Sequence, residues 1–246
     1  MLHDIVDFRD FYATPIGRMV RRMIRGRIRA LWPETKGLCV VGLGYATPYL
    51  GIFRGDSDQT FAFMPATLGV MRWPSDGGSL TSLVDESDLP LPDESVDRIL
   101  VVHALECTEL LRPMLREAWR VLKSNGRMIV IVPNRRGIWA RLERTPFGIG
   151  RPYSMSQLSL LLRDCMFTPV ERDAALFMPP FSSRMFLSAA PAWEQAGRRW
   201  FPTFSGVVLV EASKQVYALP PGNAVNAHKR AQLSTRPAGP DPYGRG

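Results

Sequence analysis

Gly42 and Gly44 close the apolar run Leu38-Cys39-Val40-Val41, and their spacing is the first sign of chemistry in the chain. Two glycines one residue apart after a strand-like run let the backbone turn sharply. They also let a ligand approach the main chain with no side chain in between. In open α/β sheets, ligands bind in the crevice at such strand ends. A plain tight turn has the same signature, so the pair alone fits ligand binding and a structural turn equally well. The cysteines carry less. Cys39, Cys107 and Cys165 are scattered, lack metal-ligand spacing, and read as free thiols of a reducing compartment, which points to a cytoplasmic location.

Arginine is the other chemically loaded residue type, and it is concentrated. The net charge of +8 comprises +6 over residues 14–32, +4 over 134–151 and +3 from Leu219 onward, which leaves the remaining residues at −5. Basicity therefore belongs to three segments laid on a mildly acidic body. The length of 246 residues is enough for one domain with a full core. No apolar stretch is long enough to span a bilayer. The opening Met1-Leu2-His3-Asp4 lacks the layout of a secretory signal.

The elements that must position these groups follow from periodicity and punctuation. Thr14-Pro15 reads as an N-cap and first helical position. Ile16, Met19, Val20, Met23, Ile24, Ile28 and Leu31 then recur at helical spacing up to Trp32-Pro33, opposite an arginine-rich face. Strands are expected at Leu38–Val41, Gln59–Met64, Leu80–Val84, Val96–Val102, Arg127–Val132, Phe167–Val170 and Gly206–Ala212. Helices are expected from Pro113 to Lys123, stopped by Asn125-Gly126, and after the capping box Ser154-Met155-Ser156-Gln157. Alternation of this kind argues for a parallel sheet covered on both faces. The expected division is a basic amphipathic helix at 1–36 packed on the core, a main domain at 37–218, and a disordered basic tail at 219–246.

Two stretches are more specific. Leu89-Pro-Leu-Pro-Asp-Glu-Ser-Val-Asp97-Arg-Ile-Leu-Val-Val-His103-Ala-Leu-Glu106 is followed by Leu115-Arg-Glu-Ala-Trp-Arg-Val-Leu-Lys-Ser-Asn-Gly126-Arg-Met-Ile-Val-Ile-Val-Pro-Asn134. Together they resemble the class I S-adenosylmethionine-dependent methyltransferases, in particular the type 11 domain, and the likeness extends from about Gly37 to Val170. The resemblance implies a Rossmann-like α/β fold: a seven-stranded, mostly parallel sheet with helices on both faces and the last strand antiparallel, supplied by Gly206–Ala212. It implies S-adenosyl-L-methionine as cofactor. Gly42, Leu43, Gly44 and Tyr45 would cradle its methionyl part, with Ala46 where a third glycine is usual. Met64 would stand at the ribose position, Asp85 at the adenine, and Val102, His103 and Ala104 at the sulfonium pocket. No metal is implied.

The chain departs from that family pattern in two places. Val40 stands where an acid usually precedes the first glycine, and Met64-Pro65 where an acid usually accepts the ribose hydroxyls. A dinucleotide-dependent dehydrogenase fits less well, because Thr47 occupies its third glycine position and the ribose acid is missing there too. Methyl transfer asks the protein for orientation and, with some acceptors, for a base. His103 is the candidate base, since an imidazole titrates near neutrality; a hydrogen-bonded wall residue is the plainer role. Tyr45 and Tyr12 are candidates to close over the site, and Glu106 reads as structural, at the start of a helix.

The arginines of 134–151, with Trp139 and Phe147, suggest an entrance for a small or lipid-like anionic acceptor. With the arginine helix, they also suit peripheral contact with an anionic membrane. A catalytically silent binding module and an RNA methyltransferase are the alternatives, the latter disfavoured because no basic-aromatic platform is visible.

Overall fold

The computed structural model of the protein describes residues 4–181 and 188–216, and the expected tail at 219–246 lies outside them. Residues 1–215 group into one compact unit. Seven strands run in chain order as β1 (Cys39–Gly44), β2 (Gln59–Pro65), β3 (Thr81–Val84), β4 (Val96–Val102), β5 (Leu122–Pro133), β6 (Phe167–Ala175) and β7 (Val207–Lys214). They form a single sheet in the order β3-β2-β1-β4-β5-β7-β6. All neighbours from β3 to β5 pair parallel, and β7 runs antiparallel to both β5 and β6. This is the Rossmann-like arrangement expected, with β7 as the reversed strand. The order reverses direction beside β1 and β4, so the crevice of the open sheet lies at their carboxyl ends.

Alternation along the central strands sorts side chains onto two faces. Leu100 and Val102 of β4 enter one core cluster with Val40, Ile129 and Ile131. Ile99 and Val101 enter the other with Val41, Met128 and Val130. The second face is covered by α4 (Leu111–Val121) and α5 (Met155–Asp164). In α5 the capping box forms as read from sequence, with Ser154 accepting from the Gln157 N–H and the Gln157 side chain accepting in return from the Ser154 N–H. The α4 helix stops at Val121 rather than at Asn125-Gly126, because Leu122 is already extended and paired with β4.

The first face is covered by N-terminal helices. Residues 1–36 hold two helices instead of the one expected: α1 (Ile5–Ala13) and α2 (Pro15–Leu31). In α2 the Thr14 hydroxyl accepts from the Gly17 N–H at 3.0 Å, Pro15 follows, and Val20, Ile24 and Ile28 are buried. Its end is pinned where Trp32 Nε1 donates to Glu211 Oε1 of β7 at 3.0 Å. The shorter α1 buries Ile5, Phe8 and Tyr12, one stripe at helical spacing. Two more helices join them, α3 (Thr47–Leu50) behind β1 and α6 (Ala190–Trp200) beyond β6.

The corner between α1 and α2 depends on Gly17. A Cβ there would meet the Phe11 carbonyl oxygen and stand 2.7 Å from Tyr12 Cα. Gly17→Ala therefore forces α1 away from α2, at a cost of about 1–3 kcal/mol. A melting temperature lower by several degrees in a thermal unfolding series checks this expectation.

Candidate functional site

The carboxyl ends of β1, β2 and β4 meet the turn after β3 at one edge of the sheet, and α1 lies across them. The glycine turn is built for chain packing as much as for a ligand. A Cβ on Gly42 would stand 2.7 Å from both Ala46 Cβ and Leu50 Cδ1 of the α3 segment. Gly44 has φ +87°, and a Cβ there would strike the Val102 carbonyl oxygen and lie 2.7 Å from Ala104 Cβ. Only glycine has both the backbone freedom and the size for that crossing of the two strand ends.

His103, directly after β4, has φ +51°, a left-handed conformation that costs a non-glycine residue on the order of 1–3 kcal/mol. Its ring is held from both sides. Nδ1 lies 3.2 Å from Glu106 Oε1, and Nε2 lies 2.9 Å from the Tyr12 hydroxyl. The Tyr12 hydroxyl is in turn 2.7 Å from the Tyr49 hydroxyl. In a neutral ring whose Nδ1–H donates to Glu106, Nε2 accepts from Tyr12 and Tyr12 accepts from Tyr49. The chain Tyr49–Tyr12–His103–Glu106 is buried throughout, and Glu106 Oε2 has no hydrogen-bond partner among the described residues. Glu106 is thus not a helix-start residue. It is the acceptor that orients His103.

Aromatic rings enclose this chain. Phe8 lies 4.9 Å from the His103 ring and 5.3 Å from Tyr45, while Phe147 stands 5.1 Å from His103 on the other side. Trp139 packs on Phe147 at 5.6 Å and donates its Nε1–H to the Met178 carbonyl at 2.8 Å. Trp139 and Phe147 therefore anchor the segment 134–151 in the core, while its five arginines face outward together with Ile138 and Glu143. Burial pushes Tyr12, Tyr45 and Tyr49 above the ordinary phenol value, Tyr45 to about 12. For Tyr12 the neighbouring Tyr49 and the Glu106 charge act in the same direction.

A cavity of about 210 Å³ remains beside the chain, lined among others by Phe8, Pro65, Leu68, Glu86, His103 and Thr108. Of the residues expected at the cofactor, His103 and Ala104 line it. Gly42, Leu43 and Gly44 are the last paired residues of β1, which runs past the expected end at Val41; Tyr45 follows them under Phe8 of α1, and Val102 is core. Met64 is fully buried in the core, and its neighbour Pro65 faces the cavity instead.

Asp85 turns away. Its Oδ1 accepts from the Ser87 N–H at 2.8 Å and the Ser87 hydroxyl at 2.6 Å in a local turn. The acid that enters the cavity is Glu86, which is 6% exposed and accepts from the Thr108 hydroxyl at 3.0 Å. The sequence reading missed Glu86 by one residue. After a strand as short as β3, the alternation that decides which neighbour points inward has ended.

The size of the cavity sets what it holds. Sites for drug-sized ligands run from about 300 Å³ upward. The space here is smaller than that, and its buried carboxylate is Glu86. The ground over the glycine turn, where the rest of S-adenosylmethionine would lie, is taken by Phe8 and Tyr12 of α1.

Comparison with known proteins points to the same fold. Residues 77–130 match the family model described as a methyltransferase domain. No curated protein matches the sequence. Among solved structures, a chain of the complex between the Haloferax volcanii Trm112 methyltransferase activator and the putative methyltransferase superposes with a TM-score of 0.60 at 21% identity, covering 86% of this chain and 98% of that one. A Thermotoga maritima S-adenosylmethionine-dependent methyltransferase, possibly a histamine N-methyltransferase, gives 0.59 at 17% identity over 86% and 96%. The Burkholderia thailandensis 1,6-didemethyltoxoflavin N1-methyltransferase, solved with its substrate and S-adenosylhomocysteine, gives 0.55 at 14% identity over 86% and 85%.

The buried phenols make stability depend on alkaline pH. The folded chain keeps protons that the unfolded chain releases near the ordinary phenol value of 10.0. Stability is therefore fully present below that pH and falls as pH rises through and beyond it. Thermal melts should show a melting temperature that drops above about pH 10, with a shallower drop in Tyr45→Phe.

The chain thus has the fold of the solved methyltransferases it resembles, and residues 77–130 within it match the methyltransferase-domain model.

Proposed function

We propose that the protein transfers the methyl group of S-adenosylmethionine to a small or lipid-like anionic acceptor, and that α1 must swing from the glycine turn for the cofactor to seat. The observation that carries this reading is the pairing of His103 Nε2 with the α1 residue Tyr12, over a cavity whose buried acid is Glu86. A sulfonium methyl is already activated toward displacement, so the residues supply orientation and proton removal. Glu86 takes the place of the acids that Val40 and Met64 do not provide and accepts from the nucleoside hydroxyls. Departure of Tyr12 frees His103 Nε2 as a proton acceptor, while Glu106 keeps the Nδ1 proton in place.

Support for an anionic acceptor comes from Arg135, Arg141, Arg144 and Arg151, all exposed on the segment whose Phe147 packs against His103. The cleft between that segment and α1, about 440 Å³, carries Arg144 together with Asp7, Asp10 and Glu143. One observation favours a second reading, that of a binding module without catalysis: α1 fills the methionyl ground with close aromatic packing.

Calorimetric titration with S-adenosylhomocysteine tests the proposal. Loss of a charge-assisted hydrogen bond is worth about 1.5–3 kcal/mol, so Glu86→Ala should bind about tenfold or more weakly. Phe8→Ala should bind more tightly than the parent, because it lowers the population penalty of the closed state. Absence of binding by both the parent and Phe8→Ala sinks the proposal. Tight binding with no transfer to any acceptor in a screen selects the silent module.

A further inference from the structure

The end of α6 and the turn that follows it leave aromatic surface exposed. Trp200 is 70% exposed, Phe201 62% and Phe204 59%, and Trp193, seven residues before Trp200 on the same flank of α6, is 43% exposed. Single exposed apolar residues are ordinary, but four aromatics gathered within one helix end and turn are not. The turn is held firmly. Asn134 Nδ2 at the end of β5 donates to the Thr203 carbonyl and to the Ser205 hydroxyl, each at 3.0 Å, and the Phe204 N–H donates to the Phe201 carbonyl at 3.0 Å.

Beside the turn opens a cleft of about 600 Å³, to which Pro202 and Thr203 contribute and whose walls carry Arg136, Arg163, Arg172 and Arg198. Its one lining acid, Asp173, is taken up by Arg198 at 3.2 Å and by Arg27 of α2 at 3.6 Å. On the other flank of α6, Arg22, Arg27 and Arg199 line a groove against α2.

We infer that this surface docks on an anionic phospholipid membrane, with Trp200, Phe201 and Phe204 entering the interface and the arginine cleft receiving lipid phosphate. Three features select this partner. Tryptophan and phenylalanine, apolar bodies on a rigid support, are the residues that partition into the headgroup boundary. The flanking charge is arginine, which pairs with phosphate through a two-pronged donor set and so complements an anionic headgroup. Trp200, Phe201 and Phe204 stand outside the cleft, and the aromatic that lines it, Phe177, already lies under the Arg198 guanidinium at 6.0 Å, so the cleft lacks the run of open rings on which single-stranded RNA stacks. No helix among the described residues is long and apolar enough to cross a membrane, so the contact is peripheral. The inference rests on this surface alone and does not depend on the methyltransferase reading.

Co-sedimentation of the full chain with vesicles tests it, comparing pure phosphatidylcholine with phosphatidylcholine containing phosphatidylglycerol. The parent should sediment with the mixed vesicles and not with the neutral ones. The triple variant Trp200→Ala, Phe201→Ala, Phe204→Ala should bind the mixed vesicles about tenfold or more weakly. Arg163→Gln with Arg172→Gln should lose about fivefold per arginine. All five side chains are away from the candidate site, and unchanged melting temperatures confirm that the variants fold. Equal binding to both vesicle types, or to neither, overturns the inference. So does undiminished binding by the triple variant, the result expected if the basic segment after Leu219 acted alone. Displacement from mixed vesicles by RNA, with the triple variant unaffected, also overturns it and assigns the cleft to nucleic acid.

Discussion

The hydrogen bond from Tyr12 to His103 Nε2 is the contact on which the rest of the site depends. It joins α1 to the end of β4, and through Tyr49 and Glu106 it runs as one buried polar chain across the carboxyl edge of the sheet. Buried polar groups are costly unless paired. Each member of the chain therefore constrains its neighbour: Tyr49 positions Tyr12, Tyr12 positions the imidazole, and Glu106 fixes which ring nitrogen holds the proton. The same chain allows His103 its left-handed backbone, since both ring nitrogens are satisfied only in that pose.

This network also explains how the two departures from the family pattern are accommodated. Where an acid is usual before the first glycine, Val40 packs in the core. Where an acid is usual after the second strand, Met64 is core and Pro65 faces the cavity. Negative charge at the edge is supplied instead by Glu86 and Glu106, both buried and each bonded to one protein partner. On the proposed reading Glu86 stands in for the usual acids, because what a nucleoside requires is an acceptor at a position in space.

The charge distribution follows the same division between body and surface. The sheet and its two cores are apolar, while the arginines of α2, of the segment after β5 and of α6 are placed outward or over clefts. Trp139 and Phe147 show why composition alone misleads here. They sit among arginines in sequence, as an interface aromatic would, yet both are buried to 1% exposure and hold the segment down on His103. The aromatics that do face solvent, Trp200, Phe201 and Phe204, come from a region with a much weaker pattern in sequence.

Local rules determined a large share of this protein. The glycine turn after β1, strand β4, the Thr14 cap of α2 and the Ser154 capping box of α5 each follow from a few adjacent residues, and each stands where sequence placed it. The family resemblance was legible for the same reason, because it is carried by the contiguous residues 89–134. What only tertiary structure decided is where α1 lies and which acid enters the cavity. The stripe Ile5, Phe8, Tyr12 was present, but a nine-residue helix has too little intrinsic stability to announce itself. Its place comes from a hydrogen bond between residues 91 positions apart. The choice of Glu86 over Asp85 was likewise made by Ser87 and Thr108, one claiming each carboxylate. The glycine turn is set by backbone sterics that a single residue type satisfies; what covers it is set by side chains that meet only once the sheet has formed.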